Sequence, residues 1–265
     1  VKVHEIAADL ADEQDALDRI VAPINETAWS TDTPSPRWNI TDQIAHLAYF
    51  DMAATTAITD PDRFRSMVDD LMVAAAGGIL AVDEFTLGPY RALGPKGLLV
   101  EWREGRVRQA EAAATLSDDT RVTWYGPSMG ARSFLTARLM EVWAHGQDIV
   151  DALGTTRPPT DRLRHIAQLG VITRAWTYIN RKLDPPATDV DVILSAPSGA
   201  EWTWGPGNST DTVTGSALDF CLVVTQRRHV DDTDLAVVGE ATRDWLTMAQ
   251  AFAGPPTDGP GEGSA

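Results

Sequence analysis

The sequence predicts an α+β protein: a four-helix bundle over residues 1–154, then a small α+β domain over 160–254. Three observations carry this. Apolar residues recur at helical spacing through the first 153 residues, the composition breaks at TTRPPT, and the hydrophobic period switches to two in DVDVILSA. The first helix runs through Val3, Ile6, Leu10, Leu17 and Ile20 to about residue 22, where Pro23 stops it. After the loop TDTPSPRW, Asn39 or Thr41 caps a second helix, with Asp42 at the positive end of its dipole; it carries Ile40, Ile44, His46, Leu47 and Phe50. Residues 62–84 and roughly 95–116 read as two further helices, separated by the breakers Gly88, Pro89, Gly94, Pro95 and Gly97. The stretch 131–153 is a helix that Gly154 terminates. Several apolar stripes joined by fairly short loops are buried most economically as a bundle.

Beyond the linker, 161–183 reads as one amphipathic helix through Leu163, Ile166, Leu169, Ile172, Trp176 and Ile179. DVDVILSA, the PSGA turn and EWTWG form a β-hairpin, and a helix follows from about Ser216. LAVVGE is a short strand, ATRDWLTMAQAF a closing helix, and the Gly/Pro-rich residues 255–265 are expected to be a disordered tail.

Lys plus Arg total 22 against 38 Asp plus Glu, a formal charge of −16 that repels phosphate backbones and anionic lipid, so neither nucleic acid nor membrane is expected as a partner. The most apolar window, LMVAAAGGILAV, is too short to span a bilayer, and the acidic first residues lack the pattern of an export signal. A cytoplasmic protein, monomer or homodimer, is the expectation. One cysteine, Cys221, excludes an internal disulfide, a CxxC pair, an iron–sulfur site and any multi-thiolate zinc site. Its neighbours Phe220 and Leu222 mark it as a small buried residue.

Chemistry concentrates on the 131–153 helix. Glu141 lies four residues before His145 and Asp148 three after it, so all three share a narrow face that Arg138 flanks. Leu139, Val142, Ile149 and Val150 occupy the other sides. A carboxylate and an imidazole at this spacing can converge on one divalent cation, or make only a structural salt bridge. The second-helix residue best placed to complete a site is His46, with Asp42 one turn before it. Two His and one Glu leave coordination positions open, as catalytic zinc and non-haem Fe(II) both require; ligand type does not choose between them. Trp38, entering the second helix, is placed to line the mouth of a cleft and to contact a bound cofactor. His4, His165 and His229 lack such a context and read as surface residues.

The pairing of WNITDQIAHL with RLMEVWAHGQDIVDALG resembles the DinB superfamily, and within it the branch of mycothiol-dependent maleylpyruvate isomerases, including an actinobacterial metal-binding subgroup. LDFCLVVTQR and LAVVGE are similar to that branch's C-terminal domain. The resemblance implies zinc on His46, Glu141 and His145, and a role for Arg227 in the substrate or thiol cleft, although Thr225 and Gln226 replace the small residues that precede the family's arginine.

The function expected on this reading is isomerisation or S-transfer on a small carboxylate-bearing molecule, using zinc and mycothiol. The thiolate adds to an activated double bond, rotation follows, and the thiolate leaves or, in S-transfer, stays. Asp148 and Asp42 are expected to orient the imidazoles, and Arg138 or Arg227 to hold carboxylates. The rival is a non-catalytic metal- or ligand-binding protein on the same scaffold, for which a fourth protein ligand would speak.

Overall fold

The computed structural model describes residues 1–126 and 128–263, and divides the chain into two compact units, Val1–Thr156 and Arg157–Ala265. The first holds helices α1 (Val3–Val21), α2 (Ile40–Thr59), α3 (Pro61–Ala75), α4 (Ile79–Arg91), α5 (Gly94–Ala113) and α6 (Ala131–Ala152). Helices α1, α2, α5 and α6 make the bundle, α1 against α6 and α5, α2 against α5 and α6; α3 and α4 pack on α2. Between α5 and α6 the two-residue strands β1 (Arg121–Val122) and β2 (Met129–Gly130) pair antiparallel.

The start of α2 is fixed by a reciprocal cap: Asn39 Oδ1 accepts from the Asp42 amide and Asp42 Oδ2 from the Asn39 amide, both at 3.1 Å. The end of α6 is fixed by Gly154 at φ +58°, which lets the amides of Gly154 and Thr155 reach the carbonyls of Asp151 and Val150. These two ends set the heights at which His46 and the Glu141–His145 pair stand. Ile40, Ile44 and Leu47 on α2, with Leu135, Leu139, Val142 and Ile149 on α6, are wholly buried, so their polar faces are oriented by the packing of their apolar ones.

The single helix expected over 62–84 is two helices. Gly77-Gly78 breaks it, because Gly78 takes φ +87° ahead of α4. Conversely α4 runs through Gly88 and Pro89, where a break was expected; so near the helix end Pro89 sacrifices only one ladder bond.

The second unit contains α7 (Leu163–Ile172), α8 (Arg174–Asn180), β3 (Asp191–Ser195), β4 (Glu201–Trp204), β5 (Thr212–Ser216), α9 (Ala217–Val224), β6 (Ala236–Val238) and α10 (Glu240–Met248). Its sheet has the order β4-β3-β5-β6, with β3 and β5 parallel and the other pairs antiparallel. Val192, Leu194, Val213, Phe220 and Trp245 fill its core. The helix expected over 161–183 breaks at Thr173, whose hydroxyl bonds back to the Leu169 carbonyl at 2.8 Å. The strand Thr212–Ser216 was not anticipated, although its β-branched residues suit one.

Residues 255–263 of the tail make contacts with this unit: Thr257 donates its amide to Gln250 Oε1 at 3.2 Å, Arg181 holds Asp258 at 2.9 Å, and the Gly263 amide bonds the Asp232 carboxylate. Residues 264 and 265 lie outside the described residues. Among the described residues no helix is long and apolar enough to cross a membrane.

Candidate metal centre

Where α2 packs on α6, His46, Glu141 and His145 bring one ligand atom each to within 4.8 Å of one another. Glu141 Oε2 lies 3.1 Å from His145 Nε2 and 3.4 Å from His46 Nε2, and the two imidazole centroids are 4.2 Å apart. The three side chains are 15, 25 and 12% exposed in chain order, so the cluster is sheltered by the bundle yet open on one side. Trp38 walls it, its indole 5.1 Å from the His46 ring and 5.8 Å from that of His145, and Phe50 lies 4.6 Å from His46 on the same helix.

The electrostatics of this cluster suit a cation. Burial, and then the neighbouring His145, depress the His46 pKa to about 4, so its ring is neutral at neutral pH and its lone pair is free to bind a metal. Burial pushes Glu141 upward, but the hydrogen bonds and charges of both imidazoles outweigh it and hold the carboxyl well below its ordinary range. His145 is oriented through its other nitrogen. Thr33 donates its hydroxyl to the Trp38 carbonyl at 2.8 Å, which leaves its oxygen to accept from Gln43 Nε2 at 2.8 Å. Gln43 therefore presents Oε1 to His145 Nδ1, 2.6 Å away, and accepts its N–H. So anchored, His145 turns Nε2 toward the Glu141 carboxylate oxygen at 3.1 Å, where the two can share a proton or a bound cation. Two imidazole nitrogens and one carboxylate oxygen suit a divalent transition ion, and among the described residues no fourth His, Cys, Asp or Glu joins them.

This site sits in a chain whose residues 10–150 match the family model described as the mycothiol maleylpyruvate isomerase N-terminal domain. The chain belongs to that family. Two relatives, named as uncharacterized proteins of Mycobacterium tuberculosis strains CDC 1551 / Oshkosh and ATCC 25618 / H37Rv, are each 47% identical over 95% of this chain and 96% of their own length. Crystal structures of the mycothiol-dependent maleylpyruvate isomerase and of a histidine-to-alanine mutant share its fold, with a TM-score of 0.58 over 97% of both chains at 18 and 16% identity.

In this mycothiol maleylpyruvate isomerase family member the predicted ligands and Trp38 come together, whereas the four other expected residues make the following contacts. Asp42, expected to orient an imidazole, caps α2 and pairs with Arg91 at 2.7 Å. Asp148 Oδ2 stands 3.9 Å from His145 Nδ1, beyond a hydrogen bond, and accepts from Ser35 at 2.9 Å. Arg138, expected to hold a substrate carboxylate, is 3% exposed with Nη2 on Asp51 at 2.9 Å, so its charge is already spent inside the bundle. Arg227 belongs to the second unit, where Nη1 donates to the Thr225 carbonyl at 2.6 Å.

Two contributors were missed. Gln43, three residues before His46 and fully buried, was passed over for its charged neighbour Asp42. Its spacing was the available signal, since i and i+3 share a helix face. Asp83 on α4 holds the Trp38 indole through Oδ1 at 3.3 Å and Arg37 through Oδ2 at 3.4 Å; nothing in the local sequence links residues this far apart.

Removing the Gln43 anchor is expected to weaken metal binding about 10–100-fold, as for other groups that orient a ligand imidazole. Competition of Gln43→Leu against a chromogenic chelator measures this. Unchanged affinity would show that the 2.6 Å contact does not orient His145.

Proposed function

We propose that this protein is a metal-dependent enzyme, with zinc the first candidate, that uses mycothiol or a similar low-molecular-weight thiol to isomerise, or transfer sulfur to, a small carboxylate-bearing molecule. The observation that carries the reading is the three-residue cluster itself, sheltered yet open on one side, in a chain of this family. When bound there, a divalent cation supplies Lewis acidity that lowers the pKa of a thiol.

The protein's own residues do the rest. His46, Glu141 and His145 would hold the ion, and Gln43 keeps the His145 proton on Nδ1 so that Nε2 faces it. Trp38 and Phe50 shield the ligands from water and give an incoming thiol or substrate an apolar wall. Arg227 enters the proposal as a carboxylate-binding residue through the family resemblance alone. The chain offers no nucleophilic sulfur: Cys221 is wholly buried, its Sγ 3.5 Å from the Leu163 carbonyl, and burial drives its pKa far above the ordinary thiol range. The sulfur must therefore arrive with a cosubstrate.

The test is turnover of candidate unsaturated carboxylates by zinc-loaded protein with and without mycothiol, alongside Cys221→Ala. The variant is expected to keep at least about half of the activity, because removing one buried sulfur costs little packing, while omission of the thiol abolishes it. Full turnover in thiol-free buffer would overturn the thiol role.

A further inference from the structure

Helices α7 and α8 carry the apolar stripe Leu163, Ile166, Leu169, Ile172, Trp176 and Ile179, which helical periodicity would place in the core. Only its first three residues are buried. The buried line runs on through Gly170, Thr177 and Tyr178 instead: the Thr177 hydroxyl oxygen accepts the Gln250 amide at 3.2 Å, and the Tyr178 hydroxyl donates to Asp244 at 2.8 Å. Ile172, Trp176, Ile179 and, past the helix end, Leu183 are left between 40 and 58% exposed, with exposed Ala175 beside them. A helix whose polar side is spent inside and whose large apolar side chains stand in water presents a surface to a partner.

A hole lies next to this surface. Ile172 and Ala175 also line a cleft of about 300 Å³, whose other walls include Val171, Pro185, Pro186 and Val190. That volume is at the lower end of those that admit a small organic body, and an indole is such a body. Trp176 follows Ala175 directly but is not one of the walls, so its exposed indole stands beside the hole rather than in it. A two-fold axis resolves this, because it carries the knob of each copy to the hole of the other. The rim suits a second copy as well. Asp189 on the cleft and Asp184 and Lys182 leading into it are exposed, so both signs of charge are present. The other exposed apolar surface, at the α3–α4 turn with Met72, Val73, Ile79 and Leu80, is flanked by Asp69, Asp70 and Glu84, with no Lys or Arg between residues 66 and 90, and two copies of it would repel. From this geometry we infer that the α8 face is an isologous homodimer interface, with Trp176 of each copy seated in the cleft of the other. Covering the stripe and the cleft mouth on both copies removes about 1,000 Å² from water, the least that a specific interface needs. Every residue used belongs to the second unit, so the inference does not depend on the metal centre.

Sedimentation equilibrium of the metal-loaded full chain tests it. A reversible monomer–dimer equilibrium with a dissociation constant of about 10 μM is expected from an interface of this size. Trp176→Ala should raise that constant at least about thirtyfold, the value of an aromatic anchor at an interface centre. Ala175→Trp, which fills the hole from an exposed lining position, should do the same. Both positions are exposed, so each variant should keep the circular dichroism of the parent. Leu80→Lys, a change of an equally exposed apolar residue at the α3–α4 turn, should leave the dimer intact. A chain that stays monomeric up to about 500 μM, a dimer that survives either α8 variant, or one that Leu80→Lys dissolves would each overturn the inference.

Discussion

Purified Glu141→Ala is expected to contain almost no metal, against about one divalent ion per chain in the parent, and to have no thiol-dependent activity. Glu141 supplies the only negative charge of the ligand set, and its Oε2 is the atom both imidazoles approach, at 3.1 and 3.4 Å. Without it two neutral rings face a divalent ion with nothing to offset its charge, so the loss should exceed the about 10–100-fold expected at Gln43. The fold should survive. Alanine is the best helix former, Glu141 is partly exposed, and α6 remains anchored by wholly buried Leu135, Leu139, Val142 and Ile149. Metal analysis after dialysis, with circular dichroism as the control for folding, decides the matter. Should Glu141→Ala, His46→Ala and His145→Ala each retain a full ion, the centre lies elsewhere.

The three-residue cluster was legible because it obeys a helix rule: Glu141 and His145 share a face at i, i+4, and capped ends place the His46 helix against them. What was not legible was how the flanking charges are spent. Asp42 and Arg138 stand at the right periodic positions to serve the site, but periodicity fixes only the face a side chain leaves from, not the partner it finds. Asp42 found its own helix end and Arg91; Arg138 found Asp51, 87 positions away. The fold shows the same division. Bundle and sheet domain follow from hydrophobic period, whereas Gly77-Gly78 divides 62–84 because Gly78 leaves helical φ, and Pro89 is absorbed because it falls in a helix's last turns. The contacts of residues 255–263 rest on Gln226, Arg181 and Asp232, all distant in sequence, and no composition argument contains them.

The largest expected effect on stability lies at a buried ion pair inside the bundle. Asp51 is wholly buried, and its carboxylate accepts from each of the other three bundle helices. Oδ2 takes Gln14 of α1 at 3.1 Å and Trp102 of α5 at 3.2 Å; Oδ1 takes Gln109 of α5 at 3.1 Å and Arg138 of α6 at 2.9 Å. Burial raises the Asp51 pKa, and Arg138's charge and the donated hydrogen bonds offset this only in part, so the pair is costly to bury and costlier to break. Asp51→Ala strands the Arg138 charge and three further donors, and should cost about 3–5 kcal/mol, a large share of the stability of a domain this size. Arg138→Met leaves the carboxylate with its neutral donors and should cost less than the sum of its parts when combined with Asp51→Ala, a coupling of about 0.5–3 kcal/mol. Urea denaturation of the four proteins, all stripped of metal, closes the cycle. Additive losses would dissolve the pair. An Arg138→Met variant of parental stability that has lost activity would return Arg138 to the chemistry and remove it from the architecture.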